Sequence, residues 1–156
     1  MAGSREVAHI IYGAIIGLAL VVALQIQPPP AGEAAAAIAG TAVAVGLAEL
    51  YSEIVGAEAR TRRPVVWHQV RGMATGAAAV FAGAGFPAVF FLLAAAGAID
   101  DRLAYTLSKW TGLGLITGYG FLAARVSGSG VGRAVLQAAA VGAIGGALIA
   151  LKATLH

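Results

Sequence analysis

The chain reads as long apolar runs separated by short polar breaks, and that alternation predicts helices of membrane-spanning length. About 20 helical residues are needed to cross about 30 Å of hydrocarbon. The first run covers about 7–25 and is stopped by Gln27-Pro-Pro-Pro-Ala-Gly32, where successive prolines remove the amide hydrogens a helix requires. The second covers about 34–55, with Glu33 at the positive end of its dipole. A polar connection follows between Ala57 and Arg71, carrying Arg60, Arg62, Arg63, Pro64, Trp67 and His68. The third run covers about 72–98 and ends at Asp100-Asp101-Arg102; the fourth covers about 103–124 and ends in a glycine-rich turn from Arg125 to Arg133. The fifth covers about 134–154. The expected fold is all-α: one transmembrane domain over residues 1–156, built as a bundle of five transmembrane helices.

Composition supports a membrane class. Hydrophobic residues make up 60% of the chain and charged residues 11%, with mean hydropathy +0.86, against about 45–50% and about 25% in soluble domains. The absence of cysteine excludes disulfides, thiolate metal sites and thiol nucleophiles. The 22 glycines lie among alanines inside the apolar runs, where they suit close helix approach in lipid. Gly13 and Gly17 form one G-x-x-x-G pair and Gly142 and Gly146 another; each fits either a contact within the chain or a subunit interface.

The net charge of +3 sits at the ends of the apolar runs, so it speaks to membrane orientation and not to a nucleic-acid partner. Arg60, Arg62, Arg63 and Arg71 follow the second run, and Arg125 and Arg133 follow the fourth. By the positive-inside rule these loops face the cytoplasm, with the N-terminus cytoplasmic and the C-terminus outside the cell membrane. Lys109 and Lys152 interrupt apolar runs and are expected to snorkel. The first run has no A-x-A-like cleavage site and is expected to remain as a helix.

Candidate chemistry centres on Glu49, a carboxylate inside an apolar run. Glu49 and Glu53 share a helix face, and counting about 1.5 Å per residue brings His9 to the depth of Glu53, with Glu49 one turn deeper. Two carboxylates and an imidazole supply ligands for a divalent first-row cation, or a proton relay, with Tyr12 a further candidate along the ion path. The plainer alternative leaves Glu53 and Glu58 solvated or paired with Arg60 and Arg63, holds Glu49 on a hydroxyl such as that of Tyr51 or Tyr12, and leaves His9 as a packed or interfacial residue. Asp100 and Asp101 fit a solvated cap on the fourth helix better than a cation-attracting mouth. The Arg60–Arg71 patch with Trp67 determines topology and suits anionic membrane lipids. Phe86-Pro87 should kink the third helix and free backbone groups to line a cavity. No Walker loop, H-E-x-x-H, nucleophile elbow or histidine pair occurs, so no enzyme and no resident cofactor is expected.

Four segments resemble the vacuolar iron transporter family. Ile11-Tyr-Gly-Ala-Ile-Ile-Gly-Leu18 resembles its first-helix I-L-G-x-N-D-G-L segment, and Ala48-Glu-Leu-Tyr-Ser52 its G-E-Y-x-S segment. Phe81–Phe90 resembles the third-helix glycine and proline pattern, and Gly118–Gly128 the end of the fourth. The resemblance implies a five-helix fold of that type, a homodimer with the first helices near its axis, and iron or manganese transport, with proton coupling and Glu49 as the family's second-helix glutamate. The family's asparagine and aspartate fall on Ile15 and Ile16, its second-helix methionine on Val45, and its acidic cytoplasmic domain is reduced to the 57–71 connection. Those departures sustain a second expectation: a non-transporting structural or accessory subunit of a larger membrane complex.

Overall fold

The computed structural model describes residues 2–126, 130–133, 135, 136, 139, 140 and 143. It is all-helical, with no strand among the described residues. Helix α1 spans Ala2–Leu24, α2 Ala31–Thr61, α3 Trp67–Ala95 and α4 Asp101–Val126. Most of the fifth run, expected over 134–154 and including Gly142, Gly146 and Lys152, lies outside the described residues.

Local chemistry explains each break. The prolines end α1, and α2 restarts directly after Pro30, whose carbonyl accepts the Ala34 N–H at 3.0 Å. The polar connection is shorter than expected: α2 continues past residue 55 to Thr61, and α3 begins before residue 72, at Trp67. Glu58, Ala59 and Arg60 are good helix formers, so polarity alone does not stop α2. Pro64 does, by disfavouring helical backbone at Arg63. Arg62 turns the chain in the left-handed region (φ 52°), its N–H donating to the Glu58 carbonyl at 2.8 Å. Helix α3 ends in a Schellman turn: the Ala98 N–H reaches the Leu93 carbonyl at 2.9 Å, and Gly97 takes φ 75° without a Cβ penalty. Asp100 Oδ1 accepts the Leu103 N–H and caps α4, as expected of a solvated turn.

Helix α3 is the central element, packing on α2, α1 and α4; α1 also packs on α4 but touches α2 only lightly. The α1–α3 crossing brings backbone against backbone. A Cβ on Gly17 would lie 2.6 Å from the Ala84 carbonyl oxygen, one on Gly13 would collide with the Val80 carbonyl, and one on Gly83 with that of Ile10. The Gly13/Gly17 pair therefore serves a contact within the chain. Towards the α1 C-terminus, Val21, Ala34, Ala35, Ile38, Ala88, Phe91, Ala104 and Tyr105 form one core cluster. There the Phe91 and Tyr105 rings meet edge to face at 4.7 Å. A second cluster joins Ala14, Leu18, Val22 and Ile116, with Ile15 and Phe86 packed against it.

Pro87 is buried within α3. Phe86 packs on the second cluster and against Gly112, so this segment fills core space, and the two cavities described below lie elsewhere. Helices α1, α2 and α3 are long and apolar enough to cross a membrane. Helix α4 has the length, but carries Arg102, Thr106, Ser108, Lys109, Thr111 and Thr117. Lys109 Nζ donates to Gln25 Oε1, just past the end of α1, at 3.1 Å.

Candidate functional site

Because α1 and α2 both lie on α3 and only graze each other, a groove remains between them, and the candidate residues line it. His9 projects from α1 and its ring rests on Gly76 of α3, where a Cβ would lie 3.0 Å from Cε1. His9 Nε2 then lies 3.1 Å from Glu49 Oε1 and 4.0 Å from Glu53 Oε1 on α2. The three side chains are partly buried, at 20, 21 and 27% exposure, which separates them from bulk solvent without sealing them off.

At 3.1 Å an Nε2–H of His9 can donate to the Glu49 carboxylate, which accepts. Nδ1, buried against Gly76, has no hydrogen-bond partner. One donor atom from each of His9, Glu49 and Glu53 lies within 4.8 Å of the other two. Donors about 2.0–2.2 Å from a first-row cation sit about 3–4 Å apart, so a small carboxylate rotation would close the trio around an ion.

The trio borders two cavities. One, about 330 Å³, is lined by Glu6, His9, Glu53, Arg60, Gln69 and Met73 among others, at the end where α1 and α3 begin and α2 finishes. The other, about 470 Å³, is lined by Tyr12, Ala44, Val45, Ala48, Glu49 and Ser52. His9 and Glu53 face the first and Glu49 the second.

No arginine pairs with Glu53 or Glu58 within 4.0 Å among the described residues, and Glu58 is exposed, as the solvated alternative has it. Glu49 is held by the His9 imidazole and not by Tyr51, which is 71% exposed; two residues on, Tyr51 points about 200° around the helix from Glu49. Tyr12 shares the second cavity with Glu49. The Glu58 carboxylate accepts the Val65 N–H at 3.1 Å, stapling the α2–α3 turn, and so does not pair with an arginine. His9 Nε2, 4.0 Å from Glu53 Oε1, is the one basic side-chain nitrogen within that distance of it among the described residues. Arg60, Arg62, Arg63 and Arg71 are exposed around the turn with Trp67, and Arg60 also lines the first cavity.

Sequence reasoning missed Glu6, Met73 and Gly76. Glu6 stands three residues before His9, hence on its face, and that spacing was a usable signal. The role of Gly76 as the seat of an imidazole depends on a contact between helices that no local pattern encodes. Comparison with protein-family models, curated proteins and solved structures returns no match.

Proposed function

We propose that the chain is a membrane transporter of a divalent first-row cation such as iron or manganese, with His9, Glu49 and Glu53 as the transit site. The observation that carries this reading is the trio itself: two carboxylates and an imidazole bordering two cavities, on helices apolar enough to span a membrane. Carboxylates kept in apolar helices mark ion or proton pathways. Glu49 is also the position at which the chain resembles the vacuolar iron transporters, and that resemblance extends the reading to a five-helix homodimer in the cell membrane, N-terminus inside. A cation at His9 Nε2 takes that nitrogen's lone pair, so a neutral ring binds it by carrying its one hydrogen on Nδ1.

The test is uptake of Fe²⁺ and Mn²⁺ into vesicles containing the purified protein, with His9→Ala and Glu49→Gln alongside. Uptake should occur and should fall at least tenfold in both variants. Absence of uptake by the unaltered protein, or an unchanged rate with Glu49→Gln, removes the proposal. A second reading, a structural subunit that conducts nothing, draws on Ile15, which packs into the core where the family has asparagine. It predicts no uptake and a partner protein retained through purification.

A further inference from the structure

We propose that Arg60 is a tethered counter-cation at the entrance to the transit site, setting the concentration at which a divalent cation can enter; this rests on the cation reading above. Glu53, Gly56 and Arg60 follow one another along one face of α2 at spacings of three and four. A Cβ on Gly56 would lie 3.3 Å from Arg60 Nη1, so the guanidinium lies back along the helix over the one residue with no side chain. That posture turns it towards the cavity it shares with Glu6, His9 and Glu53.

No carboxylate lies within 4.0 Å of Arg60 among the described residues, the ion pairs there being those of His9. Its charge is therefore not consumed by one partner and acts on the cavity as a whole. On the α3 side the lining is Gln69, Gly72, Met73, Thr75 and Gly76, which carry no charge. The entrance thus balances two carboxylates, Glu6 and Glu53, against one guanidinium. A monovalent cation gains little there that Arg60 does not already provide. A divalent cation gains more from the carboxylates, yet must work against Arg60 to reach them.

Binding of Mn²⁺ to the purified full chain in detergent tests this. Arg60→Gln should tighten Mn²⁺ binding roughly threefold to tenfold at low ionic strength, the scale of one charge acting on a divalent ion across a solvated cavity. Arg60→Lys, which keeps the charge, should stay within about twofold of the unaltered protein by the same reasoning. In 0.5 M choline chloride, whose cation is too bulky for the trio, the gap between Arg60→Gln and the unaltered protein should close as screening sets in. Equal affinities at low ionic strength, with Glu49→Gln still abolishing binding, overturn the Arg60 inference and leave the transit site standing. Failure of the unaltered protein to bind Mn²⁺ overturns both.

Discussion

Glu49 and His9 are intelligible only together. An ionised carboxylate in an apolar helix is costly unless partnered, and the nearest polar group is an imidazole on a different helix, able to come close because residue 76 is glycine. Gly76→Val should displace the ring and lower Mn²⁺ affinity about as much as His9→Ala, while Gly72→Ala, which meets nothing within 4 Å, should leave it unchanged; a titration of the three proteins compares them. Asp100 offers a separate check. Asp100→Ala removes the cap on the Leu103 N–H and should cost about 1 kcal/mol in thermal or denaturant unfolding, with Mn²⁺ binding retained. The identities of the site residues were legible in the sequence because a charge among alanines and valines stands out. Their pairing was less so. Depth counting set His9 level with Glu53, yet the shorter distance is to Glu49, since α2 continues past residue 55 and the helix ends are poor rulers.

Among the helices, glycine divides into two kinds. Gly13, Gly17 and Gly83 lie where α1 and α3 touch through their backbones, and backbone cannot move aside as a side chain can. Gly83→Ala should destabilise the protein by about 1–3 kcal/mol or more, as overpacking does. Gly40→Ala, directed into open space, should be neutral or add about 0.5–1 kcal/mol through helix propensity. Unfolding in detergent distinguishes them, and equal effects would show that the α1–α3 crossing is not as tight as described. Helix positions were readable from runs of apolar residues and from prolines. Which glycines bear on a neighbour was not, because G-x-x-x-G spacing recurs throughout a chain this rich in small residues, and only the register between α1 and α3 selects among them.

For the molecule as a whole, α1, α2 and α3 alternate in direction, and the Arg62–Val66 turn lies opposite the proline turn at 28–30. The lack of cysteine makes single introduced thiols clean reporters. A cysteine at Arg63 should resist an impermeant thiol reagent applied to intact cells, and one at Pro29 should react; the reverse pattern would invert the proposed orientation. The all-helical class and the breaks between the first four helices were legible because apolar runs mark the helices and prolines and the aspartate turn mark where they stop. The groove was not, since it arises from α1 and α2 each leaning on α3 and hardly on each other. Finally, Nδ1 of His9 faces Gly76 and bonds to nothing. A histidine that hands hydrogen ions along a wire needs a contact on each ring nitrogen, and this one ends blind. Vesicles bearing the protein and a pH gradient, but no divalent ion, should therefore hold that gradient without leak.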